Sequence, residues 1–130
     1  MRHVFDNVKV LASLVPAVRT ADANGTGIDT QGYENGMMVV SVGDLDLASA
    51  DETYVVKVEE SDDNSTFADT GLSVTVTADN EVDQVRLSGL NVTRKRYLRA
   101  VLDVGGTTPS CPVAALFVLG GADAGPVNSD

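Results

Sequence analysis

Apolar and polar residues alternate along much of this chain with a period of two, the signature of strands whose successive side chains point to opposite faces. Val56 and Val58 fall on one side of the segment 53–60, and Lys57 and Glu59 on the other. The segment 72–77 repeats the pattern, with Leu72, Val74 and Val76 inward. In 95–103, Leu98, Ala100 and Leu102 share one face and Tyr97, Arg99 and Val101 the other. Val82, Val85 and Leu87 mark a further strand, with Arg86 outward. Two runs break the alternation. Residues 37–42 are mostly apolar, as suits a strand covered on both faces, and 112–119 form a last strand that is nearly all apolar. Shorter strand-like pieces lie at 18–20 and 26–30.

Turn chemistry separates these runs. Ala23-Asn24-Gly25, Glu34-Asn35-Gly36, the acid-rich stretch 43–51, the hairpin-type loop 61–65, the turn 79–81 and Gly105-Gly106 with Pro109 provide the breaks. Seven to nine short strands at this spacing predict an all-β domain, an antiparallel β-sandwich or barrel. No helix–strand alternation points to a parallel sheet. Residues 1–16 are ambiguous. Val4, Phe5, Val8, Leu11, Leu14 and Val15 fit a helical stripe, whereas Val8 and Val10 around Lys9 fit a strand. Either a short helix packed on its own domain or an extended arm docking on a neighbour satisfies the pattern, and Pro16 is expected to end it. The chain therefore divides into an N-terminal arm or short helix at 1–16, a β-sandwich domain at 17–120 and a Gly-, Ala-, Asp- and Ser-rich tail at 121–130, expected to be loose.

Length and charge narrow the functional classes. At 130 residues the chain suits one domain, and area scaling leaves about two-thirds of the extended-chain surface to be buried. Such a core needs no disulfide, and the single Cys111 cannot form an internal one. Nineteen acids against nine bases give a net charge of −10, which argues against a nucleic-acid partner. No apolar run is long enough to span a bilayer, and the start carries no secretion signal. No membrane partner is expected.

Enzyme templates fail for want of parts. His3 is the one histidine, and it stands far along the chain from Cys111. Neither a metal centre nor a nucleophilic triad is expected, and the same holds for a cofactor. Gly105-Gly106 lacks the lysine and helix of a phosphate loop. The acidic segment Glu59-Glu60-Ser61-Asp62-Asp63-Asn64 offers oxygen ligands of the kind that calcium takes. Its spacing is not that of an EF-hand, and Asp and Asn also build turns. The basic cluster Arg94, Lys95, Arg96 and Arg99 holds four of the nine bases. It reads either as a contact for an acidic partner surface or as a set of pairs with the chain's own acids, such as Glu59 or Asp83.

Three blocks occur in order: 15–22 followed by Gly32-Tyr33-Glu34, then 58–67, then 95–103. Together they resemble small virion proteins of tailed bacteriophages, similar to capsid decoration (cement) proteins. The resemblance covers about residues 7–120. It implies a jelly-roll-like β-sandwich without catalytic residues and the major capsid protein as partner. It also implies self-association as a homo-dimer or homo-trimer, and a place on the outer surface of the capsid after a passage through the host cytoplasm. Contacts would come from the arm (Phe5, Val8, Leu11, Leu14) and from Arg94, Lys95, Arg96 and Arg99. A head–tail connector or tail component on the same fold, and a carbohydrate-binding sandwich using Tyr33, Tyr54 and Tyr97, are the alternatives.

Overall fold

The computed structural model describes residues 3–122. One turn of helix, α1 (Val4–Asn7), precedes nine strands: β1 (Lys9–Arg19), β2 (Ala23–Asn24), β3 (Ile28–Asp29), β4 (Asn35–Val42), β5 (Thr53–Ser61), β6 (Ala68–Val76), β7 (Val82–Leu87), β8 (Tyr97–Gly105) and β9 (Cys111–Gly120). They form two antiparallel sheets. The first has the order β1-β9-β4-β7. The second runs β8-β5-β6, with β2 and β3 both paired end to end along the free side of β8. Counting β2 and β3 as one broken strand gives two four-stranded layers, a jelly-roll-like sandwich. Apart from the step within that broken strand, β5–β6 is the single local hairpin among the described residues. Every other connection crosses between the sheets.

The core lies between the layers. Met38, Val40, Ala115, Phe117 and Leu119 come from the first sheet, and Tyr54, Val56, Val58, Leu98, Ala100 and Leu102 from the second; all are sealed from solvent. Burial of each large side chain contributes roughly 1.5–3 kcal/mol. The buried Tyr54 hydroxyl accepts from the Ser110 N–H at 3.0 Å and donates to the Asp46 carbonyl. Burial pushes its phenol above the usual range. One core residue thus holds two loops in place.

The N-terminal expectation needs correction. The helix spans only Val4–Asn7, and residues 9–16 are not an arm but part of β1, which runs on through Pro16. Proline is tolerated on an edge strand or at a bulge, and Pro16 has both. It lies on the outermost strand, where the register with β9 slips between Leu14 and Ala17. The expected turn at 23–25 is also strand as far as Asn24, and Asn35 and Gly36, read as a turn, open β4. The expected loose tail lies outside the described residues from 123 onward.

A second slip in β1, between Ala12 and Leu14, turns two consecutive residues inward. Leu14 joins the core. Ser13 reaches across to the other sheet, where its Oγ accepts the Ala100 N–H at 2.9 Å and donates to the Thr26 carbonyl at 2.8 Å. The Ser13 carbonyl takes the Thr26 N–H. Ser13 therefore fills the gap between β2 and β3 and joins the sheets along one side. A methyl group at Gly25 would overlap Ser13 Oγ and the Ala100 carbonyl, so glycine is required there.

Replacing Ser13 with alanine leaves the Ala100 N–H buried without an acceptor. The expected loss of unfolding free energy is about 1–3 kcal/mol, with an unchanged denaturant slope, measured by urea titration of the far-ultraviolet circular dichroism.

Candidate functional site

The side chains with chemical potential are dispersed or already engaged. His3 is exposed ahead of α1. Cys111 is fully buried in β9, and desolvation pushes its thiol up to about 11, which leaves it protonated and unreactive. No group of three His, Cys, Asp or Glu residues among the described residues is placed to hold a metal ion.

The acidic segment 59–64 is a turn held by its own acids. Asp63 accepts from the Ser61 hydroxyl at 2.8 Å and from the N–H groups of Ser65 and Thr66 at 2.9 Å. These bonds, that of Thr66 foremost, lower its carboxyl to about 2. Glu60 accepts the Lys95 N–H, and Asp62 pairs with the Lys95 ammonium at 3.4 Å. Asn64 takes the left-handed conformation that the loop requires.

The basic cluster is met by acids of the same chain. Arg99 donates twice to Glu59, directly opposite it on β5, and lies 4.1 Å from the centre of the Phe67 ring. Arg96 forks onto both oxygens of Asp29, and that bond draws the Asp29 carboxyl below its usual range. Lys95 has Asp62. Arg94 alone of the four has no ion pair among the described residues. Pairing with Glu59, one of the two partners anticipated, is observed; Asp83 instead points inward on β7, opposite Val40. The cluster thus presents far less positive field than four bases in six residues suggest.

The four apolar residues expected to act from an arm separate. Phe5, in α1, is 51% exposed, and Val8 is half-buried beside it. Leu11 packs against the core, and Leu14, 1% exposed, lies within it. Leu14 is therefore corrected from contact residue to core residue. Of the three tyrosines considered for a sugar platform, Tyr54 is in the core and Tyr97 is covered by Arg96, 5.0 Å from its ring centre.

The conspicuous surface is one the sequence reading did not single out, the outer face of sheet β1-β9-β4-β7. The register lays its outward residues in rows across the four strands. Val10, Val118, Met37 and Arg86 form one row, and Ala12, Leu116, Val39 and Gln84 the next. Beyond the bulge come Ala114, Ser41 and Val82, then Val18 beside Pro112. Val10 is 52% exposed and Val82 is 67% exposed. Arg86 is the single charged residue in these rows. The outer face of the opposite sheet is built the other way, with the pairs Lys57–Asp103 at 3.0 Å and Arg99–Glu59 at 2.7 Å, and with Ser73 and Thr75 beside them. The signal for the apolar face was present in the runs 37–42 and 112–119. The first run suits a strand covered on both sides, yet among the described residues only one side of β4 and β9 is covered.

Acid below about pH 4 should weaken the loop 61–66. Because Asp63 is lowered in the fold, its contribution is complete above the usual carboxylate value of 3.8 and is lost as the pH falls through about 2. Thermal melts between pH 5 and pH 2, taken in steps across that range, are expected to show the midpoint falling. Asp63→Ala should melt lower at neutral pH, decline less steeply below pH 4 and converge with the parent near pH 2.

No family model matches the chain, and no curated protein matches it. Among solved structures it is similar to PBSX exported protein XepA, at 19% identity and a TM-score of 0.56 over 100% of this chain. This chain spans 42% of the length of that protein. SPBc2 prophage-derived protein YomS is 14% identical with a TM-score of 0.48, over 85% of this chain and 94% of that one. A chain from Desmodium yellow mottle tymovirus is 14% identical with a TM-score of 0.44, over 87% and 82% of the two chains. At 19% identity and this TM-score, it is the fold alone that is shared with XepA.

Proposed function

We propose that this protein is a virion structural component that decorates and stabilises the capsid shell of a tailed bacteriophage, with the major capsid protein as its partner. The observation that carries the reading is a rigid sandwich with a neutral, apolar outer face and no grouped reactive side chains among the described residues. Such a molecule works through its surface. Exposed apolar patches of this kind mark interaction sites. The sequence blocks around 15–34, 58–67 and 95–103 support the viral setting, and the fold shared with XepA agrees with it. Shell contacts fall to α1, where Val4 and Phe5 are exposed, and to Arg94. Many weak contacts on a lattice act together, so each copy needs only a modest footprint.

Quantitative mass spectrometry of purified particles tests the reading. Hundreds of copies per virion are expected, whereas three, six or twelve would make it a connector or tail part, and absence from the particle would overturn it. Removal of residues 1–8 should abolish binding to undecorated shells while leaving the melting midpoint within a few degrees of the parent. Removal of 1–15 should unfold the domain, since it strips β1 of Ser13 and Leu14. Full shell occupancy by the shorter deletion would refute the role of α1.

A further inference from the structure

We infer that the outer face of sheet β1-β9-β4-β7 is the seat of a second copy of this chain, so that two copies join face to face with these sheets in the middle. The inference stands on geometry and charge alone. Only its use, presenting two shell-binding ends on one particle, rests on the proposed decoration role.

Four observations favour a second copy as the occupant. The first is charge. A chain at −10 repels its own kind, and among the described residues its carboxylates lie in the opposite sheet, the loops and α1, apart from Asp83, which points inward on β7. The outward rows of this sheet hold no acid and one base, Arg86, at the β7 edge. Two copies meeting here bring no like-charged carboxylates together. The second is chemistry. The face offers almost no charge for a partner to match and almost no polar group to satisfy. It therefore suits an equally neutral apolar face, which every copy supplies.

The third is shape and extent. The central row is Ala12, Leu116, Val39 and Gln84, and alanine recurs at Ala114. The relief is low along this row, with a concavity at either end of the face, one beside Met37, Arg86 and Val118 and one beside Ser41, Pro112 and Ala114. Sheets of this kind pack face to face about 10 Å apart with strands inclined near 30°. A face four strands wide and about eight residues long measures roughly 19 by 26 Å from strand spacing and rise. That planar footprint of roughly 500 Å² approaches one partner's share of about 800 Å² in a standard interface once side-chain relief is included.

The fourth is what guards the alternatives. Two copies could instead pair strand to strand along the sheet edges. On the β1 edge this is obstructed by two register slips and Pro16. On the β7 edge the inward-pointing Asp83 opposes it. Slips, edge proline and inward charges are the usual devices against edge pairing. Association is thereby directed onto the face, and an isologous contact between two identical faces closes at two copies.

The test uses the burial of Cys111. Because that thiol is sealed in the core, a cysteine placed on the surface is the reactive one. Val39→Cys, in the middle of the face, should be joined to its counterpart by a bismaleimide linker long enough to bridge a sheet spacing of about 10 Å and run at twice the chain mass on a denaturing gel. Thr75→Cys, on the outer face of the other sheet, should remain a single chain. Light scattering of the unmodified protein, in the absence of any capsid, should give the mass of two chains. Val39→Asp should give the mass of one, with an unchanged circular dichroism spectrum. If that variant fails to fold, the Val39→Cys cross-link decides, since cysteine and valine are close in size. A single-chain or three-chain mass for the unmodified protein would overturn the inference, as would equal cross-linking at residues 39 and 75. Because no shell is present, failure here leaves the decoration role standing.

Discussion

A two-layered sandwich has four sheet faces, and the chain can cover only the two that face each other. What happens on the other two is decided by composition. In this molecule they have opposite answers: one outer face is laced with ion pairs between neighbouring strands, and the other is left as valine, alanine, leucine and methionine. Water tolerates the first at little cost. Contact of water with the second is a standing free-energy deficit that any matching surface relieves. The asymmetry leaves one outer face suited to contact with another surface, while among the described residues no group of metal-ligating side chains gathers.

The covered half of the sandwich depends on how its edge is closed. The slip in β1 that lets Ser13 and Leu14 both face inward does more than shift the register. It interrupts the strand opposite β8, splitting it into β2 and β3, and supplies from the other sheet the partners that the interrupted backbone lacks. Strict alternation beyond Ala12 would keep Ser13 inward but carry Leu14 out of the core. The second slip, at Pro16, then lets the outward residues resume as Val18 beside Pro112. Two local departures from regular pairing thus fix both the inner seam and the layout of the outer face.

Much of this was legible in the chain. The alternation in 53–60, 72–77 and 95–103 marked β5, β6 and β8 with the right residues inward, because a half-exposed strand writes its burial directly into its sequence. The cluster of bases contained its own explanation, since Glu59 and Arg99 sit on strands that pair. The N-terminal stretch was obscure for a physical reason. Phe5 lies in the turn of helix α1 and Val8 just beyond it, while the slip after Ala12 puts Leu14 out of step with Leu11, so the four fall at helical spacing by coincidence. Pro16 looked like a stop because its tolerance depends on an edge position that only tertiary pairing creates. The apolar face was missed differently. The runs 37–42 and 112–119 state that both sides of β4 and β9 avoid water, but they do not state whose surface covers the second side.

The strand order also sets a timetable for synthesis. The last strand, β9, lies between β1 and β4, so the first sheet has no centre until residue 120 has left the ribosome. Strand β1 must wait unpaired through the making of almost the whole chain, and β4 must wait with β7 alone beside it. Sheets dominated by such distant pairings form slowly, and chains held open with exposed strands are the ones most exposed to aggregation. An excess of negative charge, spread through the loops that emerge during that interval, keeps nascent copies apart until each can close.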